Sequence, residues 1–464
     1  MVVPRLKQAL GAGKVFTDVE ATQARRRDYW FWSQLEDHQG RGAPAPLCVV
    51  RPGSTADVVA VVNACRETRT PLVPFGLGSG VCGGVLTSRE SVVLDVSAMQ
   101  GVRSIDAHNL LASFDAGVRG TDAEAKAQEH GLTLGHFPQS IGVSTVGGWI
   151  ATRAAGQFST GYGNIEDIVF SLEAVLPNGE VLHTRETPRA SAGPDLRHLL
   201  LGSEGTLGVV TGVTLSARRT PEKRAPLALY VPSLPAGIEF QREVVQRGFL
   251  PVVLRQYDRT ETERMFSPFA RGSDGLLLAV FDGPAARVDA EHDAVVELAK
   301  AHSMDLAPSA AATHWLEQRN HVPSFDQFLQ NGVVVDTIEI AATWDRILGI
   351  YDAAIASLKG VAGILAASAH SSHVYRSGIN LYFTFVAHSE RPEDMSATYL
   401  ECWRRVLAAT VEGGGGIAHH HGIGRVRRDW LVREVGDVGL STLRALKAAL
   451  DPTGFMNPGA LIPP

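Results

Sequence analysis

Cysteine is scarce in this chain: four residues in 464, Cys48, Cys65, Cys82 and Cys402, scattered without paired spacing. That excludes a disulfide framework and a Cys-rich metal module, and it points to a reducing, cytoplasmic setting. Long apolar runs are also missing. None approaches the ~20 residues that span a bilayer, and the opening MVVPRLKQALGAGK lacks the apolar core of a secretory signal. A basic excess is absent too, with 43 Lys and Arg against 49 Asp and Glu and a net charge of −6. A nucleic-acid partner is therefore not expected. Nor is the chain short of apolar residues, at 45% hydrophobic and 20% charged. Disorder is excluded for the bulk of it, and the length suits two or three domains.

Glycine is what the chain has in excess, 47 residues gathered into a few short segments. Around them the pattern mixes strands and helices. Val49-Val50, Pro71 to Pro74 and Ser91 to Val96 read as short strands. Ser54 or Thr55 caps a helix to Thr68, with Val58, Val59, Val62 and Cys65 on one face. Thr121 and Glu124 form a capping box for a helix that Gly131 closes. Leu172 to His183 alternates around Pro177-Asn178-Gly179 as a hairpin. From about Lys223 to Gly413 longer strand runs appear, Gly275 to Phe281, Gly332 to Ile340 and Asn380 to Val386, with helices over Trp344 to Leu358 and Met395 to Val411. The strict alternation of a doubly wound sheet is lacking, so the expected class is α+β.

Three glycine segments carry the chemistry. PFGLGSGVCGGV, Pro74 to Val85, lies between two strands and does not open a helix, unlike a Rossmann fingerprint. Its glycines let backbone N–H groups converge on an anion, forming a nest for a diphosphate. HFPQSIGVSTVGGWIATRAAGQFSTGYGNIEDIV, His136 to Val169, and LGSEGTLGVVTGVTL, Leu201 to Leu215, follow. In this order the three resemble the flavin domain of the vanillyl-alcohol oxidase / p-cresol methylhydroxylase family of FAD enzymes. The middle segment, with the tails HHHGIGRVRRDWL and DPTGFMNPGALI, looks most like alkyldihydroxyacetone-phosphate synthase and its bacterial relatives.

The resemblance implies a cofactor and a site. Pro74, Phe75, Gly76, Leu77, Gly78, Ser79 and Gly80 would cradle the FAD diphosphate. Gln139, Ser140, Ser144, Thr145, Thr152, Arg153, Ala154 and Ala155 would line the flavin, and Glu204, Gly205, Thr206, Leu207, Gly208 and Val210 would hold its other side. The first loop has no histidine to tether the flavin, and Cys82 is its only strong nucleophile, so non-covalent FAD is expected. Tyr382, Arg255 and the triplet His419, His420 and His421 match the synthase-like active site. On residues alone, Tyr382 reads equally as a half-buried strand tyrosine, and Arg255 has a strand-end salt bridge with Asp258 as its lesser alternative. His373 is expected to face substrate. His370 and His373 also invite a metal reading, but the glycine-aspartate pair and the glutamate of metal-holding relatives are missing, and no metal is assigned. Phe325 stands where the synthase has an arginine for its anionic substrate.

The expected organisation is an N-terminal segment 1–41, a flavin domain 42–221, a substrate domain 222–412, and a tail 413–464 that returns to the flavin domain. The expected activity is transfer of a hydride from a small hydroxylated substrate to flavin, with reoxidation by oxygen or another electron acceptor and a homodimer as the assembly left open. The alternative is the synthase's non-redox alkyl exchange.

Overall fold

Burial of Val58, Val61, Val62, Ala64 and Cys65 fixes how the Thr55–Thr68 helix sits. Ser54 caps it by accepting from the Asp57 N–H. Val61 takes the place expected for Val59, because the buried stripe follows i, i+3, i+4 from Val58. In the computed structural model, which describes residues 1–463, this helix belongs to the first of two compact units: Met1–Ala155, Asn164–Arg219 and His420–Pro464. The last expected tail residue, Pro464, lies outside the described residues.

The first unit holds two main sheets. In one, Cys48–Val50, Val92–Asp95 and Leu72–Phe75 run parallel, with Val15–Phe16 added antiparallel at the edge. These strands are buried on both faces, which is why they read as continuous apolar runs. In the other, five antiparallel strands run in the order Val102–Asp106, Leu111–Asp115, Val209–Ser216, Val169–Val175, Val181–His183. The last two form the expected hairpin, and Gly179 takes φ +87° in its turn.

The expected capping box at Thr121 does not form. The helix spans Gly120–Gln128 with no side-chain cap. Glu124 is spent elsewhere: its carboxylate accepts from Thr133 Oγ1 at 2.6 Å and from the Leu134 N–H at 2.9 Å. A buried carboxylate takes the nearest unsatisfied donors, and here those lie beyond the helix.

The second unit, Gly156–Gly163 with Thr220–His419, is built on an antiparallel sheet. Its strand order is Asp305–Leu306, Lys223–Val231, Gly275–Gly283, Val253–Tyr257, Ile364–Ser371, Gly378–His388, Val333–Thr343. Helices Ile347–Lys359 and Met395–Glu412 present buried apolar faces beside it. Gly161 shows why its short segment sits here, since an added Cβ would lie 2.9 Å from Val252 Cα. Among the described residues, no helix is long and apolar enough to cross a membrane. Helices and sheets are mixed without strict alternation, as the α+β expectation has it.

Candidate flavin cradle and substrate-side cluster

The glycine loop leaves its backbone open. Gly76 through Val81 are half-buried, and the N–H groups of Leu77, Gly78, Ser79, Gly80 and Val81 donate no hydrogen bond among the described residues. Five consecutive unspent donors on a loop with little side chain form the nest that a diphosphate needs. The absence of Cβ at Gly76 is required by Thr145, whose Oγ1 would lie 2.6 Å from it.

The first unit brings many of the expected cofactor residues together. Pro74 packs where a Cβ on Gly205 would sit, at 2.8 Å, and the Glu204 N–H donates to Ala151 O at 2.8 Å. Hydroxyls mainly shape the cradle. Thr145 accepts from the Gly148 N–H and Ser144 from Trp149 Nε1, which leaves each O–H free to donate. Thr152 and Thr206 donate instead to Gly148 O and Ser203 O. Ala154, Ala155, Leu207 and Val210 are buried, and a Cβ on Gly208 would lie 2.9 Å from Val175 O. Two residues turn outward: Gln139 is exposed, and Arg153 pairs with Glu166 at 3.1 Å on the surface. Ser140 is half-buried at the start of a 3-10 turn.

Glu204 locks the tail to this cradle. It holds φ +49°, and its carboxylate accepts from the N–H groups of Ile423 (2.7 Å) and Gly424 (2.9 Å). Burial raises its carboxyl above the usual range, offset by those two N–H groups and by Arg427 and Arg425. Asn457 Nδ2 donates to Gly84 O (2.9 Å) and to Glu204 O (2.7 Å). Cys82 is buried, its carbonyl accepts from the Arg425 N–H, and its sulfur takes Arg427 Nη1 at 2.9 Å.

The N-terminal segment supplies a part that sequence reasoning missed. The Asp28 N–H donates to Val85 O and the Tyr29 N–H to Gly80 O. The Asp28 carboxylate accepts from the N–H groups of Trp30 and Val85 directly beneath the loop. Nothing in the glycine motif announces it, since the partners lie more than fifty positions apart. Burial pushes Asp28 up to about 7, opposed by the Val85 and Trp30 N–H groups and by Arg425, and assisted by Glu204. A carboxyl raised on folding stabilises fully below its unfolded value near 4 and loses that contribution as pH rises through about 7. Asp28→Asn is thus expected to raise stability at pH 8 by about 2 kcal/mol after the loss of one acceptor, and to leave pH 5 nearly unchanged. Thermal unfolding at both pH values checks this, and an equal shift at each would refute it.

In the second unit, Arg255 is 7% exposed on the Val253–Tyr257 strand. Its guanidinium lies over Trp315 (4.8 Å) and Tyr257 (5.2 Å), and its buried Nε has no hydrogen-bond partner. The alternative pairing with Asp258 does not form. Asp258 instead caps the Arg259–Met265 helix and accepts from the Ala369 N–H and the Tyr351 hydroxyl.

Tyr382 sits opposite His370 in register, and the two rings stack at 4.8 Å and 9°. Its neighbours Leu381 and Phe383 are fully buried while Tyr382 stays half-buried, the alternation of a strand. His373 Nε2 lies 2.9 Å from Gly156 O, which can only accept, so Nε2 carries the proton and Nδ1 accepts from Ser372 Oγ at 2.8 Å. Burial, with His419 nearby, holds His373 well below the usual histidine value. His419 meets the Tyr375 hydroxyl at 2.6 Å, and its ring lies 4.8 Å from that of His373. His420 and His421 fall in the first unit, with rings 4.5 Å apart.

One unit thus holds a loop of unspent donors and a carboxylate-locked tail, and the other a cluster of histidine, tyrosine and arginine. Two family models match the chain: FAD binding domain over residues 46–185, and FAD linked oxidases, C-terminal domain, over residues 220–461. The chain belongs to this FAD-linked oxidase family: it is an enzyme with FAD as its cofactor and oxidoreductases among its homologues. It is 34% identical to the FAD-linked oxidoreductase YgcU of Escherichia coli K12, over all of this chain and 98% of that one. It is 29% identical to alkyldihydroxyacetonephosphate synthase of Dictyostelium discoideum (91% and 74% covered) and 28% identical to glycolate oxidase subunit GlcD of Bacillus subtilis (90% and 89%). A solved alkyldihydroxyacetonephosphate synthase superposes with TM-score 0.83 at 25% identity, covering 98% of this chain and 85% of that one. The 4-ethylphenol oxidase of Gulosibacter chungangensis shares the fold, with TM-score 0.80 at 18% identity over 100% and 97%. The fold is thus of the vanillyl-alcohol oxidase type.

Proposed function

We propose that this enzyme oxidises a small hydroxylated substrate, using non-covalently bound FAD and passing electrons to oxygen or another acceptor. The observation that carries the reading is Arg255: a buried guanidinium braced by two aromatic faces, with an Nε that no described residue satisfies. Such a group is pre-set for one anionic or strongly polar oxygen. Glycolate, named in the Bacillus relative, is a small hydroxy acid of that kind. Bound FAD supplies the two-electron acceptor. Leu77 to Val81 would bind its diphosphate, Glu204 would hold the tail against the cradle, and Tyr382 and the triplet would hold and move the substrate's hydroxyl proton. Cys82 supports the non-covalent state, because its sulfur is buried against Arg427. Four buried cysteines, none of them in a disulfide, support a cytoplasmic location. A homodimer is proposed on the same footing, with size-exclusion chromatography as its check.

The synthase-like reaction is the second reading, favoured by the relatives and weakened at one position. Phe325 opens the short Asp326–Gln330 helix where the synthase has an arginine, and Arg319 is engaged by Gln157 Oε1 and the Phe158 ring. A phosphorylated substrate without a second guanidinium costs on the order of several kcal/mol to bury. Two expected outcomes follow. The purified protein is yellow and releases its flavin on acid precipitation, and colour that stays with the pellet would overturn non-covalent binding. Acyl-dihydroxyacetone phosphate with a long-chain alcohol gives no ether, while a hydroxylated substrate bleaches the flavin anaerobically. Alkyl exchange without net bleaching would reverse the choice.

A further inference from the structure

Glu261 is only 1% exposed, yet its carboxylate is fully engaged by groups that favour its charge. It lies on the Arg259–Met265 helix, with Oε1 accepting from Arg264 Nη2 (2.9 Å) and Thr384 Oγ1 (3.0 Å), and Oε2 sits 3.0 Å from His370 Nδ1. His370 comes from the neighbouring strand, 9% exposed, with its ring lying flat against Tyr382. Its Nε2 makes no hydrogen bond to any described residue. A carboxylate that can only accept must take its hydrogen bond from Nδ1–H, so the free lone pair is on Nε2. This is the arrangement by which a buried carboxylate sets an imidazole's tautomer and steadies its protonated form.

We propose that the Glu261–His370 pair is the proton store of the substrate-side unit, acting through Tyr382. The reading rests on the hydroxylated-substrate function above. As the substrate is oxidised, its O–H bond breaks and the proton passes to the phenolic oxygen of Tyr382. The parallel stack keeps the phenol out of the plane of the Nε2 lone pair. The phenol's own proton therefore passes through one bridging water to Nε2 of His370, giving an imidazolium paired with Glu261. The electron pair of the O–H bond becomes the second C–O bond, and the hydrogen leaving carbon takes its two electrons to the enzyme's FAD. A phenol alone is a weak base near neutrality, and the pair supplies the acceptor it lacks. Glu261 and His370 are positioning residues in this scheme.

Electrostatics agree with the geometry. Burial lowers His370, Glu261 pulls it back up, and Arg255 and Arg264 lower it further. For Glu261, burial alone would raise the carboxyl, but His370, Arg264 and Thr384 take it below the usual range. Facing His370 are Glu261 and Arg264 from the helix, Arg255 and Tyr257 from one neighbouring strand, and Tyr382 from the other, with Asp258 and Tyr351 behind the helix start. The net state near neutrality is a neutral imidazole beside an ionised carboxylate, the form ready to accept.

The test combines tautomer and pH profile. In the flavin-loaded protein without substrate, ¹⁵N-histidine NMR should show one Nδ1–H tautomer that vanishes in His370→Asn and is redistributed in Glu261→Gln. With glycolate, D-lactate or benzyl alcohol, whichever bleaches the flavin, anaerobic stopped-flow should show the bleaching rate falling as acid protonates His370. Glu261→Gln should move that limb to lower pH and lower the plateau about 10²-fold, and His370→Asn should remove the limb. A wild-type Nε2–H tautomer, or a limb left in place by both variants, would overturn the proposal. If none of the three probes bleaches the flavin, the hydroxylated-substrate reading fails for them, while the tautomer measured without substrate still decides the pair.

Discussion

Gly424→Val should yield a protein recovered without flavin, and in lower amounts. Gly424 takes φ +55°, and an added Cβ would lie 2.0 Å from the Cys82 carbonyl oxygen. The left-handed conformation alone costs a non-glycine residue roughly 1–2 kcal/mol. The overlap with backbone adds to it and cannot be relieved by turning a side chain. Moving the tail away would break the two N–H bonds from Ile423 and Gly424 to Glu204, leaving a buried carboxylate exposed to its full burial penalty. The combined loss should exceed 3 kcal/mol on these terms, enough to open the cradle in which Leu77 to Val81 hold their donors ready. Absorbance of purified protein at the flavin bands, with thermal unfolding, checks it. A yellow variant with unchanged melting would refute the lock.

Tyr382→Phe should slow flavin reduction by about 10²-fold or more while flavin stays bound. The phenylalanine ring keeps the stack on His370 and the strand register opposite Glu339, so only the hydroxyl is lost. His420→Ala is expected to match it in size. Flavin content and single-turnover rates separate binding from chemistry, and unchanged rates in both variants would assign these residues a purely structural part.

A candidate flavin side could be proposed from the chain because its needs are local. A diphosphate nest needs glycines close in sequence, and Gly76, Gly78 and Gly80 are close. The Thr55–Thr68 helix declared itself through its cap and apolar stripe. What stayed hidden is pairing at a distance. Asp28 meets Val85, and Glu261 meets His370, through strand register and burial that no local pattern encodes. Glu124 misled for the same reason: its spacing from Thr121 fits a capping box, but Thr133 and Leu134 offered buried donors that outweighed a solvated helix end. Arg255 and Asp258 also sit within reach in sequence, yet one is held by aromatic faces and the other by a helix start.

Asn457 closes the cradle by donating to both Gly84 O and Glu204 O. During synthesis the glycine loop therefore emerges from the ribosome hundreds of residues before the side chain that bridges it to the Glu204 turn. The nascent chain lacks the bridge between Gly84 and Glu204 until residue 457 has left the exit tunnel.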